Sequence, residues 1–320
     1  MKRRYKYFID LEIILNLCKI LNIDLKIMQK NIIAYKTRRG WNYVENPKLP
    51  VIISPIYDML VAHHIGDGCL TKIKGRQPYF GYTQFNKEIR LLYINKLESL
   101  FGKINYKRDY HSNAKQVYCP AVFTNIFLSI YLLKNEDYLE NQSKVPKPLF
   151  RKNWKYKLAF LLGIILDEGH VDSTLIVIGL KNEILINGLQ KICRDLNYFT
   201  TLNKLKDNRY YLYINSKSLV KLYNDYKKLL SEYPEVNLSY KEQRIEEFIN
   251  RINKPKIYIK GNKSKILEAL IKKDLTVNQL AIKFNMTRQG ARYLIKELMN
   301  ENKIKIKSIV KYGSYKYGLR

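Results

Sequence analysis

Two stretches of this chain are apolar with helical spacing and stop at the same signal, an acidic residue followed by glycine. They are VAHHIGDGCL (Val61 to Leu70) and AFLLGIILDEGHV (Ala159 to Val171). Each predicts a buried helix that ends in a turn. Each also carries small residues one turn apart, Ala62 and Gly66 in the first, Ala159 and Gly163 in the second. Residues at i and i+4 share a helix face, so these positions predict two helix backbones in close approach. Packed that way, the helices bring Asp67 and Glu168 to a common point.

The pattern after each helix repeats as well. PYFGYTQFNKEIRLLYINKLESLFG reads as a strand, a helix with apolar spacing of three and four, and Gly102. STLIVIGLKNEILINGLQKICRDLNY reads as a strand, a similar helix, and Asn197 in the place of Gly102. Further strand-like runs follow, KQVYCPAVFTNIF in the first half and RYYLYINSKSL in the second. The chain therefore contains a tandem duplication of helix, strands, helix and strands.

An acid at a helix C-terminus is opposed by the macrodipole unless a cation is near, which makes Asp67 and Glu168 odd choices for turn residues alone. His63 and His64 sit one turn earlier. Adjacent histidines point to different sides of a helix and do not chelate as an i, i+4 pair does, so packing and hydrogen bonding at the helix interface is the expectation for them. His111 and His170 stand isolated.

At these residues the chain resembles the LAGLIDADG homing endonucleases of the two-motif, single-chain archaeal type. The motifs read LVAHHIGDG (Leu60 to Gly68) and LLGIILDEG (Leu161 to Gly169), and the likeness covers roughly residues 51 to 250. Ala62 stands where the first motif has its usual glycine, and Leu166 replaces the inner acid of the second. The resemblance implies an α+β fold of two pseudo-symmetric αββαββα halves, residues 51–150 and 151–250, forming a saddle on double-stranded DNA. It implies a monomer that makes double-strand breaks by phosphodiester hydrolysis, with Asp67 and Glu168 as catalytic carboxylates and ligands of Mg2+. Hard divalent ions activate water and offset charge on phosphate, and carboxylate oxygens suit them. The family often places a lysine after the strand that follows each motif. Lys181 fits in the second half, while Phe85 aligns with it in the first, leaving Gln84 or Lys87 to substitute. Sheet residues Tyr82, Gln84, Tyr118, Tyr211 and Tyr213 are candidates to face the DNA grooves.

Charge strengthens the nucleic-acid reading. The 320 residues carry 58 Lys and Arg against 28 Asp and Glu, a formal net charge of +30, interleaved with 27 tyrosines. Such a field concentrates polyanions, and aromatic rings among cations suit sugar and base contacts. A Lys-, Ile-, Asn- and Tyr-rich composition accounts for part of the lysine excess but not for the scarcity of acids. No apolar run is long enough for a membrane span, and the basic N-terminal stretch is interrupted by Asp10 and Glu12 with no cleavage site after it. The four cysteines are scattered with no CxxC pair, which points to a reducing cytoplasm rather than a disulfide framework or structural zinc.

The flanks add two smaller units. From Lys254 onward there are 17 basic and 4 acidic residues. Residues 258–320 read as a winged helix-turn-helix: a helix SKILEALIKK capped by Ser264, a capping box of Thr276 with Gln279, a longer helix, and a hairpin around Gly313. The longer helix is expected in a major groove with Thr287, Arg288, Gln289 and Arg292 near base edges. Residues 1–45 are expected to be helical. Asp10 caps a helix with Leu11, Ile14, Leu17 and Leu21 on one face, Asn22 to Asp24 form a turn, and a second helix follows, like the first half of a repressor-type helix-turn-helix. TRRGWNYVENPKLP then reads as a basic linker. Met1 and a terminal YGLR suit a free-standing or intron-encoded enzyme rather than an intein. Two alternatives remain on the same fold, a non-cleaving transcription regulator and a splicing maturase with structured RNA as its partner.

Overall fold

The duplicated order read from the sequence recurs in a computed structural model of the chain. It describes residues 8–37, 42–71, 78–106, 115–139, 142–172, 174–205, 208–253, 262–310 and 314–320. Two compact units divide at Phe248, Met1–Phe248 and Ile249–Arg320. The first begins with α1 (Leu11–Ile20), α2 (Leu25–Lys30), β1 (Ala34–Tyr35) and β2 (Tyr43–Glu45). The first repeat is α3 (Pro55–Ile65), β3 (Gly68–Thr71), β4 (Tyr79–Thr83), α4 (Lys87–Phe101), β5 (Lys103–Asn105), β6 (Gln116–Tyr118) and α5 (Thr124–Ser129). The second is α6 (Trp154–Glu168), β7 (Gly169–Val171), β8 (Ile176–Leu180), α7 (Glu183–Asp195), β9 (Thr200–Lys204), β10 (Tyr210–Ile214) and α8 (Ser216–Glu232), followed by α9 (Tyr240–Asn253). The fold is α+β, with two αββαββα halves.

The two motif helices form the centre. Every residue of α3 is buried, as are Leu158 to Leu166 of α6. A helix apolar on all sides requires partners on all sides, and α3 and α6 supply one another's main contact. The small residues set the spacing. A β-carbon added to Gly163 would stand 2.6 Å from the Ala62 Cβ and 3.0 Å from the Met59 carbonyl oxygen. Both residues occupy the third place of their nonamers, so the seam joins equivalent positions. Ala159, one turn earlier, is fully buried.

The sheets confirm the internal alignment. Gly68 pairs with Tyr82 on β4, and Gly169 pairs with Ile178 on β8. Counting on three residues from each partner sets Phe85 against Lys181 and one residue fewer sets Gln84 against Leu180. The turn residues also correspond. Gly102 after α4 has φ +103, and Asn197 after α7 has φ 59. Glycine adopts that left-handed conformation freely and asparagine tolerates it.

The halves differ at their sheets. The second half has a four-stranded antiparallel sheet of order β7-β8-β10-β9. In the first, β3-β4-β6 form one sheet, while β5 joins β2 and β1 in another. Tyr43, Val44 and Glu45 pair with Asn105, Ile104 and Lys103, and Val44 is fully buried. The stretch expected to be a basic linker thus contains a strand, because Val44 gains a place in the core only by pairing with β5. Residues 38–41 of that stretch lie outside the described residues.

The N-terminal segment holds α1 and α2, joined by a turn with Asn22 left-handed and Asp24 accepting the Lys26 N–H at 2.8 Å. Asp10 occupies the cap position of α1 without a side-chain hydrogen bond. The expected apolar face is not a core face: Cys18 is the one buried residue of α1.

The second unit combines three helices with a three-stranded sheet. It contains α10 (Asn262–Lys272), β11 (Leu275–Thr276), α11 (Val277–Lys283), α12 (Arg288–Asn300), β12 (Ile304–Val310) and β13 (Ser314–Leu319), with sheet order β11-β13-β12. Its core includes Ile266, Leu270, Leu280, Ala291, Ile295 and Leu298. The Thr276–Gln279 capping box is present in both directions, at 3.3 and 2.9 Å. Helix α10 begins two residues before Ser264, the expected cap. β12 and β13 pair antiparallel, and Gly313 between them lies outside the described residues. No helix among the described residues is long and apolar enough to cross a membrane.

Candidate active site

Each motif helix runs directly into a strand, and the glycine after each acid makes that possible. A β-carbon on Gly68 would lie 2.4 Å from the His64 carbonyl oxygen, and one on Gly169 would lie 2.5 Å from that of Ile165. Any other residue would strike the last turn of its own helix. The acid–glycine signature is thereby a steric requirement for turning from helix to strand at the seam.

Three carboxylates gather at these turns. Asp67 is half-buried and accepts a hydrogen bond from Gln84 Nε2 at 2.8 Å. Burial, and then the charge of Asp167, push its pKa up to about 7. Asp167 itself was not among the expected site residues. Its side chain is fully buried, and its Oδ2 lies 2.9 Å from where a Gly66 Cβ would stand. It accepts the Tyr82 hydroxyl at 2.6 Å, and His63 Nδ1 lies 3.0 Å from its Oδ2. The Asp67 backbone N–H also donates to it. Asp167 thus reaches from α6 into the first half and holds it at three points. Burial raises its pKa to about 7 against those hydrogen bonds and the nearby lysine charges. The available signal was Gly66, which occupies the equivalent place in the first motif and leaves room opposite.

Glu168, half-buried, ends α6. It shares with Asp67 and Asp167 an electrostatic neighbour that the sequence did not reveal, Lys241 at the start of α9. The nearly buried Lys241 ammonium donates to the carbonyls of Ile165 at 2.8 Å, Leu166 at 2.7 Å and Gly169 at 2.6 Å. They lie at the C-terminal end of α6, where carbonyls run short of intrahelical partners, although that of Ile165 also accepts the Gly169 N–H, and a cation is favoured there by the macrodipole. The acid at the end of α6 is therefore compensated by a lysine from a distant helix. Burial pulls Lys241 down to about 8, opposed by the three carboxylates.

The histidines pack as expected. His64 stacks on Phe80 with ring centroids 4.2 Å apart, and its Nε2 meets the Tyr93 hydroxyl at 2.8 Å. Burial holds both His63 and His64 well below the usual histidine range, so both are neutral. His170 is exposed on β7, and His111 lies outside the described residues.

Other expected site residues divide. Tyr82 is fully buried against Tyr93 and bonded to Asp167, so it is not a groove residue. Strand alternation puts its neighbours Gly81 and Thr83 on the opposite face. Tyr118, which pairs with Gly81, does share that face, half-exposed and edge-on to Tyr79 at 5.5 Å. Gln84 is drawn to Asp67 instead of the groove. Tyr211 and Tyr213 are half-exposed on β10 between buried Tyr210, Leu212 and Ile214, with Tyr211 lying over Gly179. Lys181 is exposed after β8 and makes no hydrogen bond or ion pair among the described residues. Lys87 is exposed at the start of α4.

In the second unit Thr287 caps α12 through the Gly290 N–H at 3.0 Å. Arg288, Gln289 and Arg292 are exposed on its first turns, opposite the buried stripe of Ala291, Ile295 and Leu298.

No protein-family model and no curated protein matches the chain. Among solved structures it is similar to I-DmoI in complex with DNA and Mn, at 17% identity over 53% of this chain and 94% of that one, with a TM-score of 0.38. Mesophilic variants of the homing endonuclease I-DmoI match at 19% identity over 60% and 97%, with a TM-score of 0.41. Full-length DUF199/WhiA from Thermatoga maritima matches at 16% identity over 79% and 93%, with a TM-score of 0.36.

Proposed function

We propose that the chain is a LAGLIDADG-type, site-specific endonuclease that cuts both strands of DNA in a divalent-metal-dependent reaction, with Mg2+ as the working ion. The observation that carries the reading is the placement of Asp67, Asp167 and Glu168 at the turns that end the two seam helices, with Lys241 as their common electrostatic neighbour. Metal chemistry fits this donor set. Two of the three carboxylates would hold the ion, Asp67 and Glu168, because Asp167 is committed to Tyr82, His63 and the Asp67 backbone. Among the described residues no three or more His, Cys, Asp or Glu side chains form a metal cage. That suits an ion bound through one or two carboxylates with water and phosphate oxygens completing its shell.

A bound divalent ion supplies an activated water and neutralises charge at the scissile phosphate. The chain's own residues prepare the place. Gln84 orients the Asp67 carboxylate, and Leu180 at the matching position cannot do so for Glu168. Lys241 fixes the end of α6 and offsets part of the acidic charge. Tyr118, Tyr211 and Tyr213 offer aromatic edges on the open sheet faces. The winged helix-turn-helix reading of the second unit adds Arg288, Gln289 and Arg292 as candidate major-groove contacts.

The test is a selection of cut sites from a random DNA library with Mg2+, followed by Asp67→Asn and Glu168→Gln on the selected site. Each variant is expected to lose double-strand cleavage and keep site binding in a gel-shift assay. Cutting by the double variant at the wild-type rate refutes the assignment. Wild-type protein that binds a selected site but cleaves it with neither Mg2+ nor Mn2+ would identify a DNA-binding regulator instead.

A further inference from the structure

Helix α1 is built to be covered, and among the described residues its outer face is not. Its polar residues Glu12, Asn16 and Lys19 follow one another at i, i+4 and i+7 and form one narrow stripe. The other seven residues of LEIILNLCKI are apolar, and such a helix is ordinarily packed on most of its circumference. Only Cys18 is buried. Beside that stripe Ile9, Ile13, Leu17, Ile20 and Leu21 fall on one continuous face and stand 67, 52, 48, 77 and 63% exposed. Ile23, Leu25 and Ile27 extend the apolar surface along the turn and α2, at 41, 48 and 58%. In all the surface is roughly 800 Å2, above the roughly 300–600 Å2 of the largest apolar patch on an ordinary monomer. A stable interface needs about 800 Å2 from each partner.

We propose that this surface is where a second copy of the same chain docks, α1 against α1 in antiparallel orientation about a twofold axis. Two observations favour a second copy over other occupants. First, Phe8 to Ile33 carries three acidic residues (Asp10, Glu12, Asp24) and three basic ones (Lys19, Lys26, Lys30), so it is neutral in a chain of net charge +30. The docking helices themselves therefore carry no net charge, and two copies bring them together without repulsion between them. Second, Glu12 and Lys19 lie on the same flank of the apolar stripe, at its two ends. Antiparallel pairing sets Glu12 of one copy beside Lys19 of the other, twice, with Asn16 near the axis. An isologous interface has to be complementary to itself in this way. A dimer of this kind departs from the monomer expected on the sequence resemblance and presents two DNA-binding cores in one particle.

Sedimentation equilibrium of the full chain at micromolar concentration and physiological ionic strength tests the proposal. A particle of twice the 38.1 kDa chain mass is expected. Leu17→Asp places a charge in the contact and should raise the dissociation constant at least roughly 100-fold, since a buried leucine contributes about 1.5–3 kcal/mol in each copy. Glu12→Lys and Lys19→Glu should each weaken the dimer, and the two together should restore it. These side chains are outside the core, and circular dichroism establishes that each variant is folded. A single 38.1 kDa species at the highest concentration overturns the proposal. So does a Leu17→Asp protein that dimerises like wild type, or a double charge reversal no tighter than the single ones.

Discussion

Lys241→Met should destabilise the first unit although it removes a lysine that is itself held at a cost. Burial lowers Lys241 from 10.5 to about 8, so keeping the ammonium charged costs about 3 kcal/mol, at 1.36 kcal/mol per pK unit. Methionine abolishes that cost. It also strips partners from three buried carbonyls at 2.6 to 2.8 Å, those of Ile165, Leu166 and Gly169. The Ile165 carbonyl keeps the Gly169 N–H, so two acceptors are orphaned, at about 1–3 kcal/mol each and roughly 4 kcal/mol together. The balance is a loss of about 1 kcal/mol. For a unit of this size that is a fall in Tm of about 3 °C. Thermal unfolding followed by circular dichroism in metal-free buffer measures it. Removing the cation also leaves the carboxylates more in need of another, so added Mg2+ should raise the Tm of the variant more than that of wild type. If Lys241→Met melts at or above the wild-type temperature, the carbonyls are not depending on the lysine, and its role in holding the motif is wrong.

Asp167→Asn should change the pH dependence of stability. The folded pKa of Asp167 is raised from 3.8 to about 7, so its contribution is fully present below 3.8 and is lost as pH rises through 7. Relative to wild type the amide variant should therefore gain on the order of 2–3 kcal/mol between pH 5 and pH 8 in urea unfolding; parallel pH profiles would disprove it. Gly163→Ala puts a methyl 2.6 Å from the Ala62 Cβ. It should cost about 1–3 kcal/mol by overpacking and slow cleavage, and Ala62→Gly in the same protein should recover part of the loss, the Met59 carbonyl contact at 3.0 Å remaining; no recovery at all in thermal melts would mean the Ala62 contact is not the point of strain. Truncation after Ile252 should weaken DNA binding and flatten its log–log salt dependence by about 0.9 per phosphate contact removed, and an unchanged slope in folded protein would exclude the second unit from the DNA.

Local signals in the sequence carried a large part of this molecule. The two nonamers, the small residues at Ala62 and Gly163, and the left-handed turns at Gly102 and Asn197 are all written within a few residues of where they act. So is the Thr276 capping box. The alignment of Phe85 with Lys181 followed from the repeat, and strand pairing reproduces it. What tertiary structure decided depends on residues far apart in the chain. Lys241 reaches the end of α6 from a helix more than seventy positions later, and nothing in LSYKEQ marks it as a cap. Asp167 has partners in the other half, at His63 and Tyr82, so its buried role exists only once the two helices are packed. Strand parity was the remaining ambiguity. Alternation says that Phe80 and Tyr82 share one face and Gly81 and Thr83 the other, but YFGYT is bulky enough on either side that the sequence does not say which face is inward. The helix above β4 settled it, putting Tyr82 in the core and leaving Tyr118 on the open face. Pairing of Tyr43–Glu45 with β5 is likewise a long-range choice, made by the core that buries Val44 and not by the basic residues around it.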